Sequence, residues 1–225
     1  MSSAQVMNSD SRRFNSQSEK MRVSYDTIAA EYANRIYPEL KNKPFDRQLL
    51  DRFADEVRMS GPVCDMGCGP AHIARYLFDR GVNAFGLDLS AGMLNEAKRL
   101  NPNIDFIQGS MLSLGLGSDT LGGIAAFYSI IHVSREHVVA TLSEMRRVLK
   151  RKGSLLLAFH LGEDVIHTTD FHDHPVDFEV TLFRIEEMTG YAKAAGLSLQ
   201  QAMERDPYPE VEYQSRRGYI LATKP

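Results

Sequence analysis

Two acids and a pair of glycines in this chain are spaced to hold a nucleotide-like ligand. Val63-Cys64-Asp65-Met66-Gly67-Cys68-Gly69-Pro70-Ala71-His72 reads as an apolar strand ending in an acid, then a Gly-x-Gly-x-Ala turn, then a helical pattern at Ile73, Tyr76 and Leu77. Glycine lets a chain turn sharply and lets a ligand approach closely. The helix start that follows offers unpaired N–H groups and a positive dipole end to a carboxylate or phosphate. Asp65 is placed to accept a hydrogen bond from a ligand cation or hydroxyl. Asp88 ends a second apolar run about twenty residues on, where an acid in a doubly wound fold accepts both hydroxyls of a ribose. Ser110 and Met111 follow a third run, beside the place for an adenine amino group. Met93 and Met111 suit a purine face, or equally a plain core.

Groups that move protons come next. His132 lies just past a fourth apolar run, and its type suits a general base near neutrality; bonding to local backbone is its structural alternative. His72, in the first turn of the glycine-loop helix, faces either ligand or solvent. His160, His167, His172 and His174 cluster downstream, with His172 and His174 on one predicted strand face near Asp170. That admits a metal, but the spacing matches no metal motif, so no metal is expected. The preferred reading is a polar substrate lid walled by Phe171 and Phe178, with His160, His172 and His174 as substrate contacts. Of Arg216 and Arg217, strand alternation turns one inward; Arg216 is taken as the candidate for a substrate carboxylate. Tyr25 and Tyr32, seven residues apart, share a helix face suited to closing over ligands, Tyr32 toward the substrate.

The elements that must position these groups alternate. Helices are predicted from Tyr25 and over Phe45–Val57. Strands follow at Val63–Asp65, Asn83–Asp88, Ile104–Gln108, Leu121–Tyr128 and Ser154–Phe159. Helices intervene: one to Asp79, one capped by Ser90, and one over Arg135–Leu149. After a helix at Ile185–Ala194, two strands, Leu197–Met203 and Tyr219–Thr223, come without a helix between them. The expected fold is α/β: a three-layer doubly wound sandwich whose mostly parallel seven-stranded sheet ends in a C-terminal antiparallel strand. Residues 1–20, rich in Ser, Asn and Gln, read as a mobile tail; 21–225 read as a single domain, with 161–184 a lid insertion after the fifth strand.

Composition closes off other classes. A net charge of −3 makes no case for nucleic acid as the main partner. No apolar tract of about 18 residues exists to span a membrane, and no secretory leader is read. Two cysteines, Cys64 and Cys68, are too few for a closed zinc site and are expected as reduced thiols of a cytoplasmic protein.

Several segments together are similar to the class I S-adenosylmethionine-dependent methyltransferases, in the small-molecule branch with the quinone-ring enzymes. They are Tyr25–Ala33, the Asp65–Ala71 turn, Gly86-Leu87-Asp88-Leu89-Ser90 with Met93, Ser129-Ile130-Ile131-His132-Val133, and Leu149–Ser154. The resemblance implies a methyl transfer from S-adenosylmethionine to a small-molecule acceptor by a monomer or homodimer. It implies that the methionyl part sits over Gly67 and Gly69, that Asp88 holds the ribose and that Met111 flanks adenine. The full cofactor set expected is Tyr25, Asp65, Gly67, Cys68, Gly69, Asp88, Leu89, Met93, Ser110, Met111 and Tyr128, with His132 as base. Two rival readings are a nicotinamide-dependent oxidoreductase, whose third glycine is missing after Ala71, and a non-catalytic cofactor-binding protein on the same fold.

Overall fold

Seven strands lie side by side in the order β3-β2-β1-β4-β5-β9-β8. The computed structural model describes residues 3–225, with side chains from residue 16 onward. The strands of this sheet are β1 (Val63–Met66), β2 (Ala84–Asp88), β3 (Phe106–Gln108), β4 (Leu121–Phe127), β5 (Leu149–His160), β8 (Ser198–Arg205) and β9 (Arg217–Thr223). β1 to β5 pair in parallel, whereas β9 runs antiparallel between β5 and β8. The expected α/β sheet with its C-terminal antiparallel strand is therefore present. β5 begins earlier than Ser154, because Leu149 pairs with Leu121 ahead of an irregularity before Gly123.

Alternation splits each buried strand between two cores. From β4 and β5, Ile124, Ala126, Leu155 and Leu157 face α5 (Arg135–Val148) and α6 (Ile185–Ala194). Their neighbours Ala125, Phe127, Leu156 and Ala158 face α2 (Pro44–Val57) and α3 (His72–Phe78). This is why β4 is buried along its whole length. The order reverses between β1 and β4, so loops at their carboxyl ends diverge and leave a crevice.

Two additions cover that crevice. α1 (Ser3–Ile36) is one continuous helix, where the sequence suggested a tail to Lys20. Residues 1 and 2 lie outside the described residues. The polar residues that suggested a tail make contacts of their own: Gln17 hydrogen-bonds Glu179, and Lys20 pairs with Asp177 at 2.9 Å. The second addition is a separate hairpin, β6 (Val165–Phe171) and β7 (His174–Thr181), inserted between β5 and α6. Ile28 and Ala29 of α1, Met93 and the hairpin's Val176 and Phe178 form a small core of their own. α4 (Ala91–Leu100) starts at Ser90, whose Oγ accepts from the Met93 N–H at 3.0 Å as the N-cap. Asp26 of α1 joins that cap: its Oδ1 accepts from Ser90 Oγ at 2.6 Å and from the Gly92 N–H at 2.8 Å.

Candidate active site

A cavity of about 910 Å³, open to solvent, fills the crevice under α1. Its floor is the glycine turn. Gly67 adopts φ +69°, and a Cβ there would lie 2.3 Å from Ser129 Cβ, so this glycine admits the β4 loop rather than a ligand. At Gly69, φ +52°, the nearest neighbour of such a Cβ is the Tyr32 ring at 3.6 Å. The close approach expected of the pair thus falls to Gly69. Ala71, where a third glycine would stand in a dinucleotide loop, holds φ 67° in the left-handed region and is fully buried.

Asp88 stands on the cavity wall. Its Oδ2 accepts from the Gly69 N–H and its Oδ1 from the Ser90 N–H, each at 2.8 Å. These bonds fix the carboxylate and leave further lone pairs for a ligand diol. Burial raises its pKa, and the backbone bonds oppose that rise. Cys68, Leu89, Met93, Ser110 and Met111 also line the cavity.

Tyr25 and His132, also on the cavity wall, are hydrogen-bonded to each other. His132 Nδ1 lies 3.0 Å from the Glu179 carbonyl, to which it can only donate, so Nε2 presents a lone pair. Tyr25 Oη, 2.8 Å away, donates to it. Burial lowers the His132 pKa to about 4 against the pull of that carbonyl, and burial raises Tyr25 well above its ordinary value. The pair is therefore neutral, with the proton on tyrosine. Tyr25 stacks on Phe178 at 5.1 Å between ring centroids, and Tyr32 leans on Phe171 at 5.5 Å. Tyr32, Phe127 and Tyr128 complete an uncharged aromatic wall. Tyr128 holds φ 52°, a strained conformation at the end of β4.

Five predicted site residues fall elsewhere. Asp65 is 1% exposed beneath the loop, and its Oδ2 accepts from the Ala74 N–H at 2.8 Å. It caps α3, whose own N-cap, Ala71, has no side chain for the task. His160 packs on the Tyr128 ring at 5.1 Å, outside the cavity, and its Nδ1 accepts from Arg217 Nη1 at 2.9 Å. His172 and His174 do not share a strand face. His172 and Asp173, both at positive φ, turn the hairpin, and both histidines are exposed at its tip. Arg216 points outward and pairs with Glu204 at 2.8 Å and Asp206 at 3.2 Å. The inward arginine is Arg217, 2% exposed, because β9 begins there. It faces Tyr128 together with Lys43, both balanced by Glu212. Among the described residues no group of three or more His, Cys, Asp or Glu side chains could hold a metal ion.

Cavity residues the sequence did not single out include Ser18, Met21 and Arg22, inside or beside the supposed tail, and Leu112 and Phe127. The seven-residue Tyr25–Tyr32 spacing, continued upstream by a turn to Met21 and Ser18, was the available signal.

Burial pushes the Asp65 carboxyl up to about 7, with Asp88 adding to the rise. In the unfolded chain it titrates near 4. Folding therefore loses stability as pH rises from about 4 to about 7, where the buried group must either keep a proton or sit charged. Asp65→Asn keeps an acceptor for Ala74 and removes the charge. Its stability relative to the parent should climb across that window, by an amount on the order of 1–3 kcal/mol. Thermal melts of both proteins at pH 5 and pH 8 check this; a constant difference would mean that the carboxyl is not raised.

Residues 63–153 match the family model described as a methyltransferase domain. The chain is 27% identical over 142 residues to a demethylmenaquinone methyltransferase of Paenarthrobacter aurescens, covering 62% of this chain and 54% of the relative. To the enzyme of that name from Renibacterium salmoninarum it is 31% identical over 142 residues, covering 62% and 58%. The match thus spans little more than half the length of these relatives. Among solved structures, an S-adenosylmethionine-dependent methyltransferase of Methanosarcina mazei superposes with TM-score 0.68 at 14% identity, over 76% of this chain and 95% of that one. Residues 63–153 thus match a methyltransferase domain, and the chain has the fold of solved S-adenosylmethionine-dependent methyltransferases.

Proposed function

We propose that this protein transfers a methyl group from S-adenosylmethionine to a small molecule whose accepting atom is a hydroxyl oxygen or an acidic ring carbon. The observation that carries the reading is a single cavity lined by both the Asp88–Gly69 cradle and the Tyr25–His132 pair. The residues fit the cofactor: a fixed carboxylate for a diol, a glycine without a Cβ in its way, and neutral rings suited to a cation. When bound, that cofactor supplies a methyl group already activated by its sulfonium charge.

The chain's own residues supply position and proton transfer. Asp88 and the glycine turn orient the nucleoside, and the aromatic wall of Tyr25, Tyr32, Phe127 and Tyr128 gives the acceptor an apolar surface to lie on. Tyr25 Oη takes the acceptor's proton while giving its own to His132 Nε2. A buried imidazole with a pKa of about 4 is a weak base by itself. It gains a positive charge in the step in which the cavity loses one, so the enclosed net charge does not change. Glu179, on β7, holds the ring through its carbonyl, which supports reading the hairpin as a lid. The uncharged walls favour a flat aromatic acceptor, in line with the demethylmenaquinone in the relatives' names. The two free, buried cysteines support a reducing, cytoplasmic setting.

Calorimetry with S-adenosylhomocysteine and with NAD, followed by transfer of labelled methyl to a panel of hydroquinones and catechols, tests the reading. Binding of S-adenosylhomocysteine and a labelled ring product are expected. Binding of NAD alone would overturn the proposal.

A further inference from the structure

Asn101 caps the end of α4 and is 0% exposed, and its side chain ties together three elements. Its Nδ2 donates to the Ala97 carbonyl of α4 at 3.0 Å and to the Pro70 carbonyl of the glycine turn at 3.2 Å. Its Oδ1 accepts from Tyr37 Oη, just past the end of α1, at 2.6 Å. Both carbonyls can only accept, so the amide has one possible orientation. The Pro70–Ala71 peptide is thereby held at both its polar ends: the carbonyl by Asn101, and the Ala71 N–H by the Cys68 carbonyl at 2.8 Å. The next peptide is held as well, because the Ala71 carbonyl accepts from the Arg75 N–H at 2.9 Å. Ala71 turns between these two fixed planes. Its φ of 67° lies in the region that glycine enters freely and other residues enter at a cost. The methyl group of alanine cannot hold that conformation; the fixed planes do.

We infer that Asn101 is a positioning residue for the cofactor loop: through the Pro70 carbonyl it keeps Ala71 left-handed, and so keeps the Gly69 N–H on Asp88. The inference rests on the methyltransferase reading, which supplies the ligand, and adds to it a residue that touches no ligand. Asn101 is not among the residues lining the cavity, whereas Gly69 and Pro70 are. A swing of the Pro70–Ala71 peptide would break the Cys68–Ala71 bond and turn the Gly69 N–H off Asp88 Oδ2, which it meets at 2.8 Å. Without the amide, Ala71 relaxes toward the conformations open to an ordinary residue, and that swing follows. Pro70 is itself buried, so its carbonyl would also be left short of a donor. Tyr37 fixes the amide from the side of α1 and acts through Asn101. The roof helix and the loop thus share one buried joint.

The test uses the strain itself. Glycine adopts the left-handed conformation freely, so Ala71→Gly removes the need for Asn101. Titration calorimetry with S-adenosylhomocysteine on the full chain should show Asn101→Leu losing about tenfold in affinity, the effect of one hydrogen bond. Ala71→Gly alone should bind within about twofold of the parent. Added to Asn101→Leu, it should recover most of the loss. A residue that merely packs against the loop would show the same loss with and without Ala71→Gly. That outcome, or an Asn101→Leu variant that binds like the parent, overturns the inference. Should Asn101→Leu fail to fold, Tyr37→Phe carries the test, because it leaves the amide in place but free to turn. A loss of about threefold that Ala71→Gly abolishes is then expected; a loss that persists, or none, overturns the inference. If the parent protein bound no S-adenosylhomocysteine, the methyltransferase reading itself would fall, and the inference with it.

Discussion

Replacing Asp88 by alanine should weaken binding of S-adenosylhomocysteine by at least about a hundredfold. Each hydrogen bond to a charged acceptor contributes about 1.5–3 kcal/mol, and a ribose diol makes two. The same change also strips the Gly69 and Ser90 N–H groups of their acceptor. The glycine turn and the start of α4 then lose their shared anchor, so the loss should exceed that of the diol alone. Asp88→Asn keeps one acceptor oxygen and should lose less, about tenfold. Titration calorimetry reads both. An alanine variant that binds as tightly as the parent would remove Asp88 from the ribose.

The second large effect is on turnover. Tyr25→Phe and His132→Ala should each slow methyl transfer by about a hundred- to ten-thousandfold, the range of a positioned acid–base group. Affinity for S-adenosylhomocysteine should change only a few-fold, because neither group holds the nucleoside. The pH profile separates this from a packing defect. His132 is held neutral down to about pH 4, so parent turnover should stay level from neutrality to about pH 5 and fall below it. Stability follows the same group. Its folded pKa lies below the unfolded value of about 6.5, so its contribution is present above pH 6.5 and is lost as pH falls toward 4. His132→Ala should remove part of that acid sensitivity. A turnover profile that bends near 6.5 would place the imidazole in free contact with water and break the proposed pair.

The Asp88–glycine-turn pairing was legible in the sequence because its parts are local. A strand, a glycine turn and an acid at the next strand's end need only the regular alternation of β and α to meet, and Asp88 does meet Gly69. What was misread depended on facts that spacing does not contain. Asp65 has the right type for a ligand contact, but its partner is a helix N–H nine residues on, behind the turn. The choice between Arg216 and Arg217 depends on where β9 begins, and a shift of one residue reverses which one is inside. His172 and His174 looked like strand neighbours because the reversal at positive φ between them carries no glycine to announce it. The polar start of α1 lacked the apolar stripe of a core helix, since it packs against the polar backs of a hairpin through Gln17, Lys20 and Ser24.

α1 carries Tyr25 and also forms the roof over the nucleoside end, where Asp26 latches it to Ser90 and Gly92. The two duties cannot be separated. Any opening wide enough to exchange spent for fresh cofactor carries the tyrosine away from His132 and takes the proton path apart. On the proposed mechanism, a protein with α1 displaced would lack the Tyr25–His132 pair and would not transfer the methyl group. The helix works as an interlock, in which loading and firing exclude each other because one rigid rod serves both.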